Sequence, residues 1–184
     1  MSRIGFRKMS MGDLSKEALV SRRTIYLHFA SKEDVGLSSI GRVVESAARY
    51  LESLTADSRP AAERVREMLQ QRVMIRVNAV SKYYHGLDEL FEAVRPAYLA
   101  RREHFFQREA NALAEVLRQA MVNGEFLTDD PLVQARNLLL ATNAFLPYSL
   151  SVRELGEPEA IQTRLESMTD LLVRGLLVRN SETL

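Results

Sequence analysis

The chain has 184 residues, 46% of them hydrophobic and 27% charged, with a net charge of +1 and no cysteine. That length and apolar content suffice for one domain with a real core, or for a small head on a larger body. The lack of cysteine excludes disulfides, cysteine–zinc sites and thiol catalysis, and suits a reducing, cytoplasmic setting.

The N-terminus is polar and has no secretory leader pattern, and no apolar run approaches the ~18–20 residues of a bilayer span. A soluble chain is therefore expected. The small net charge conceals an asymmetry. Residues 1–32 hold seven Lys/Arg against Asp13 and Glu17, a balance of +5, while the remainder holds 18 basic and 22 acidic residues, a balance of −4. A basic head on an acidic body steers phosphate to one end and repels it elsewhere.

Taken in order, Met9 to Glu17 reads as a short helix with Met11, Leu14 and Ala18 at inward spacing. Ala18-Leu19-Val20 makes a turn. Ser21 then caps a second short helix, because its hydroxyl can accept from a free N–H two or three residues on. Arg22 and Arg23 fall in its first turn. Basic side chains usually avoid that end of the helix dipole, so two of them there point to a polyanion. Ile25 and Phe29 stand four apart and face inward, leaving Thr24, Tyr26 and His28 outside. Ser31 caps the next helix, with Asp34 at the capping-box position. Two short helices joined by a three-residue turn, with a basic outer face on the second, form the pattern of a helix-turn-helix.

The run from Gly5 to Val35 resembles the DNA-binding region of the tetracycline-repressor (TetR) family. The resemblance is carried by the Gly5-Phe6 turn, Ala18-Leu19-Val20-Ser21, Thr24-Ile25-Tyr26 with Phe29, and Lys32-Glu33. It implies an all-α fold with an N-terminal helix-turn-helix head, joined by a long helix to an α-helical ligand-binding and dimerisation body. It also implies operator DNA as a partner. The recognition helix from Ser21 would enter the major groove, with Arg22, Arg23 and Thr24 at base edges or phosphates. Tyr26, His28 and Lys32, together with Ser10 and Ser21, would hold the backbone.

Two features depart from the family. Only Met1 to Ile4 precede Gly5, where the family has a complete first helix, so a truncated head is expected. Leu19 stands where the family has glycine, and costs roughly 1–2 kcal/mol if the turn needs a left-handed residue.

Beyond the head, the Ser31 helix should run to about Leu54 on a stripe of Val35, Ile40, Val43, Val44, Ala47 and Leu51. A natural division falls there: residues 1–50 as the DNA-binding domain and 51–184 as the ligand-binding and dimerisation domain. Pro60 opens the next helix, which ends near Gly86. A short helix from Leu87 to Arg95 should be stopped by Pro96, and a long one should follow from Ala97 to Asn123, closed by Gly124. Asp130-Pro131 opens a helix to about Leu150, kinked at Pro147, and Glu157-Pro158 opens the last, to about Arg179. No strand signal occurs.

The last two helices are apolar around more than half their circumference, which implies a second buried face, either against a partner or at the centre of the chain's own core; the family resemblance points to a homodimer, through Leu138, Leu139, Leu165, Met168, Leu172 and Leu176. A small-molecule pocket is expected in the middle of the body. Met68, Tyr84, Phe91, Tyr98, Phe105, Phe145 and Tyr148 would form its walls, with Arg72 and Asn143 as polar anchors.

The three histidines lack metal-site spacing, and there is no phosphate loop or nucleophile elbow, so neither a metal, a cofactor nor an enzymatic activity is expected. The reading is a ligand-responsive homodimeric transcriptional regulator of the repressor type, released by an unidentified small-molecule effector. The alternative is a TetR-like dimer that binds small molecules or pairs with a relative, its DNA-binding head crippled by loss of the first helix.

Overall fold

A computed structural model describes residues 5–81, 87–127, 129–147 and 156–177. Seven α-helices lie among them: α1 (Met11–Glu17), α2 (Arg22–His28), α3 (Lys32–Ser53), α4 (Ala61–Ser81), α5 (Leu87–Val122), α6 (Pro131–Thr142) and α7 (Pro158–Leu176). Short 3-10 turns follow α3 and α6. The β structure among the described residues is one isolated antiparallel bridge, Phe126 to Leu177. The fold is all-α, as expected. No helix among the described residues is long and apolar enough to cross a membrane.

The second and third helices begin at the predicted caps, Ser21 and Ser31, and the first, expected from Met9, begins after a cap at Ser10. Ser10 accepts from the Asp13 N–H at 3.2 Å while Asp13 accepts from the Ser10 N–H at 2.9 Å, a complete capping box. Ser21 and Ser31 accept from the N–H groups of Thr24 and Asp34. Between α1 and α2 the chain turns through Leu19, which adopts φ +55°. The Val20 N–H reaches the Ser15 carbonyl and the Leu19 N–H reaches that of Lys16, so the turn is a Schellman motif with leucine at its left-handed position.

The core lies where α3, α4, α5, α6 and α7 meet. Its largest cluster joins Leu51, Val65, Met68, Leu69, Leu113, Leu117, Phe126, Leu138, Leu139, Val173 and Leu176. A second cluster joins head to body: Phe6 and Leu37 pack with Val44 of α3 and with Leu90, Val94 and Tyr98 of α5. A third holds Val73, Met74 and Val77 of α4 against Leu146, Ile161 and Leu165.

Several expectations are corrected. Pro96 lies inside α5, which is continuous from Leu87 to Val122. A proline mid-helix costs about 3 kcal/mol or more. Here Leu90, Val94 and Tyr98 pack on the head-side cluster on both sides of it, and that burial outweighs the missing N–H bond. Helix α6 ends at Thr142, well short of Leu150, and passes into a 3-10 turn before Pro147. The expected ends at Gly86, Leu150 and Arg179 lie outside the described residues, as does the head's expected truncation at residues 1–4.

The dimer-face assignment is also corrected. Leu138, Leu139, Leu165 and Leu176 are 0–3% exposed in the single chain, buried against α4, α5 and one another. They fill the chain's own core and offer nothing to a partner. Met168 and Leu172 are half-buried. The apolar side chains left outside on these two helices are Val133, Leu140 and Leu171.

Leu19 supplies the first prediction. It is 92% exposed, so its side chain contributes no packing, while its backbone is held in a region that favours glycine. Leu19→Gly should stabilise the chain by about 0.5–1 kcal/mol, the left-handed penalty less the added chain entropy. Urea unfolding of both proteins measures it, and a loss of stability would mean that the turn is not strained.

Candidate DNA-binding head and effector cleft

Helix α2 has a single buried anchor, Ile25, at 8% exposure. Around it Ser21, Arg22, Arg23, Thr24, Tyr26, Leu27 and His28 are all exposed. The Ser21 hydroxyl, besides capping the helix, lies 2.8 Å from that of Thr24. Arg22 lies across α1: a Cβ added at the buried Gly12 would collide with its guanidinium, so the missing side chain at Gly12 is what lets the two helices and this arginine pack closely. Asp13, hydrogen-bonded by Ser10 and faced by Lys16 and Arg22, is held below the usual carboxylate range. Arg23 stands clear on the outer surface.

Lys32 is engaged within the chain. Its ammonium donates to the carbonyls of Phe6 and Arg7, each at 2.9 Å, and sits 5.0 Å from the centre of the Phe6 ring. It fixes the turn that precedes α1 to the start of α3. The same turn is fastened to the body. The Arg7 N–H donates to Glu89 at 2.8 Å, and the Arg7 guanidinium pairs with Glu92 at 2.6 Å. Gly36 lets α3 approach α5 closely, since a Cβ there would meet the Leu90 side chain.

The first half of α5 therefore grips the head with Glu89, Leu90 and Glu92. It also lines a cleft of about 460 Å³, bounded by Asp88, Phe91, Glu92, Arg95, Tyr98, Leu99, Arg102 and Pro147. Further along, α5 carries Glu109, 1% exposed and clamped between two arginines of α4. Arg72 donates Nε–H to it at 2.7 Å, and the Arg76 guanidinium donates to its other oxygen. Arg72 also reaches the Leu139 carbonyl and the Thr142 hydroxyl on α6, and the Asn143 side-chain carbonyl at 2.7 Å. Burial pushes the Glu109 carboxyl up, but the two guanidiniums more than offset this and hold it below its ordinary value.

With this geometry in view, the likeness to known proteins can be placed. Residues 1–36 match the family model described as bacterial regulatory proteins, tetR family. Over that segment the chain is similar to the tetR family.

The fold agrees along nearly the whole length. A TetR/AcrR-family transcriptional regulator from Thermobifida fusca is similar at TM-score 0.68 and 21% identity, over 92% of this chain and 88% of that one. A tetR-family regulator from Pectobacterium atrosepticum gives 0.72 and 16%, over 95% and 86%. The regulator FadR from Bacillus subtilis, solved in complex with stearoyl-CoA, gives 0.63 and 17%, over 94% and 91%. No curated protein matches the sequence.

The residues expected to contact DNA divide into two groups. Ser21, Arg22, Arg23, Thr24, Tyr26 and His28 share the exposed surface of α2, and Ser10 is exposed at the start of α1, whereas Lys32 is turned inward to the Phe6-Arg7 carbonyls. Of the expected pocket residues, Phe91 and Tyr98 line the cleft. Met68 is in the main core; Phe105 and Phe145 pack on the second and third clusters. Arg72 donates to both Asn143 and Glu109. Tyr84 and Tyr148 lie outside the described residues.

Glu109 was missed, although it falls on the inward stripe of α5 with Phe105 and Leu113, four residues from each. A carboxylate at such a position is a signal for a buried basic partner. Arg76, four residues after Arg72, is that signal's counterpart on α4.

Removing the Glu109 charge leaves two guanidiniums facing each other in the core. Glu109→Gln should cost about 3–5 kcal/mol of stability, read by urea unfolding at neutral pH. Because the native carboxyl lies below its ordinary value near 4.5, the unfolded chain takes up the proton first as pH falls. The Glu109 contribution should be complete above that pH and lost below it, and Glu109→Gln should show a shallower acid limb. An unchanged limb would mean that other carboxylates set the acid stability.

Proposed function

We propose that the chain is a ligand-responsive transcriptional repressor that binds operator DNA as a homodimer. The observation that carries this is the surface of α2. Its single apolar anchor is buried, and two arginines, a threonine, a tyrosine and a histidine are left exposed on a head with a net charge of +5. A helix presented in this way fits the major groove, where arginine can bond the guanine edge and hydroxyls can reach phosphate. Two such heads would meet half-sites about 34–36 Å apart or a multiple of that.

The dimer contact falls on the outer faces of α6 and α7, where Val133, Leu140 and Leu171 stay exposed in the single chain beside the half-buried Met168 and Leu172. The cleft along α5 suits an effector with an apolar body and a polar end. Phe91, Tyr98 and Leu99 supply the wall, and Arg95 and Arg102 are the cationic groups beside it. That FadR, of the same fold, holds stearoyl-CoA supports a ligand role for this body. An effector that prefers a shifted α5 would move Glu89, Leu90 and Glu92 and with them the head, so the half-site spacing would be lost.

Fluorescence anisotropy of the full chain, on duplexes it has enriched from a random pool and on unselected duplex, tests the reading. Selective, salt-steep binding is expected; equal weak binding to both duplexes would overturn it. Arg23→Ala should lose about 1–3 kcal/mol on the selected duplex and little on the unselected one. Lys32→Ala should instead lower the unfolding free energy, because two carbonyls lose their charged donor. The reverse pattern would exchange the two roles. Leu171→Glu should convert the dimer to a monomer in sedimentation without loss of helix, and a dimer that persists would place the interface elsewhere.

A further inference from the structure

Leu27 is 74% exposed in the middle of the surface assigned above to DNA, among hydroxyls and cations. At about 100° per residue, Leu27 and Arg23 both fall within about 20° of the pole opposite the buried Ile25, with Thr24 and Tyr26 to either side. The two side chains that project furthest from the core are thus one guanidinium and one isobutyl group, four residues apart. The fold has no use for the second. Ile25 alone anchors α2, and Leu27, unlike Leu19, occupies no special backbone conformation.

We propose that Leu27 reads the 5-methyl group of a thymine in the major groove. The inference rests on the DNA-binding reading and adds a base identity to it. Base edges in that groove offer hydrogen-bonding groups with one apolar exception, the thymine methyl. An aliphatic side chain at the pole of a groove-bound helix gains only by meeting that group. The positive head opposes a second head as the occupant of this surface and favours a polyanion. Four residues of helix advance about 6 Å, and base steps along a strand are about 3.4 Å, so the thymine lies within about two base pairs of the base that Arg23 contacts.

The experiment uses the full chain and a duplex it has enriched from a random pool. Each thymine is replaced in turn by deoxyuridine, which keeps every hydrogen-bonding group and lacks only the methyl. One thymine, or a symmetric pair, should show about a fourfold loss of affinity per site, the value of one buried methyl. Leu27→Ala should bind the thymine and deoxyuridine duplexes equally, while Leu27→Met should restore most of the difference. The same position carrying 5-methylcytosine opposite guanine should keep the contact to the methyl in the wild type.

A uracil scan with no sensitive position overturns the inference and leaves DNA binding standing, as does a sensitivity that Leu27→Ala retains. A Leu27→Ala variant that changes its oligomeric state and not its DNA preference also overturns it, since the leucine then seats a protein. Failure to enrich any sequence overturns the DNA-binding reading itself, and the inference with it.

Discussion

A single carboxylate in the core, Glu109 of α5, sets the relative positions of the three helices around it. It is 1% exposed, and both its oxygens are taken by guanidiniums from α4. An ionised group at that depth is tolerated only when its charge is met and its lone pairs are filled. The arginines are bound by the same condition. Arg72 reaches on to the carbonyl of Leu139, the hydroxyl of Thr142 and the amide oxygen of Asn143, which fixes the end of α6 to both helices. Apolar packing tolerates small slides between helices, but this array does not, because each bond is directional and loss of any one strands a buried charge. The C-terminal half of α5 is therefore held in register with α4 and α6.

The head depends on that body in a way its own size requires. Helices of seven residues are well below the ~12–15 at which isolated helices become even marginal in water. They persist because caps satisfy their free N–H groups and because larger elements hold them. Phe6 inserts between α3 and α5, Lys32 ties the turn behind it, and Ile25 fixes α2. The outer surface of α2 is thereby released from any structural duty, which is the condition for a surface that reads something else.

Much of this was visible in the sequence, and the parts that were not share a cause. The caps Ser21 and Ser31, the left-handed demand at Leu19 and the inward Ile25 are local features, and each is where local chemistry puts it. Pro96 was expected to end a helix on a local rule, yet packing by Leu90, Val94 and Tyr98 carries the helix through it. The leucine runs of α6 and α7 were assigned to a partner. In fact α6 lies against α5, and α7 lies against α4, and a helix flanked by its own chain on two sides is apolar over more than half its circumference without any partner. Arg72 and Asn143 stand out in the sequence as polar groups in an apolar region and were expected to anchor a ligand. Their partners, however, come from residues 37 and 71 positions away along the chain, a separation that no periodicity records. The charge of Lys32 is visible in the sequence, whereas the two carbonyls that hold it, 26 and 25 residues back, are not.

The two halves of α5 are held by interactions of different kinds, and this bears on how the protein would respond to the effector proposed for it. The C-terminal half carries the buried Glu109 cluster, whose rupture costs several kcal/mol. The N-terminal half meets the head through Arg7 and Glu92, whose side chains are 68% and 70% exposed, a class of pair worth about 0–1 kcal/mol. The apolar cluster of Phe6, Leu37, Val44, Leu90, Val94 and Tyr98 adds to that pair, and Gly36 lets α3 lie directly against Leu90. Apolar contacts of this kind are not directional, so they tolerate a small slide of α5 that the Glu109 array does not. The cleft lies on this half, and Glu92 belongs both to the cleft and to the contact with Arg7. On the proposed reading, what moves the head is a ligand's difference in affinity between the two arrangements and not its affinity alone; coupling between sites is commonly about 1–3 kcal/mol.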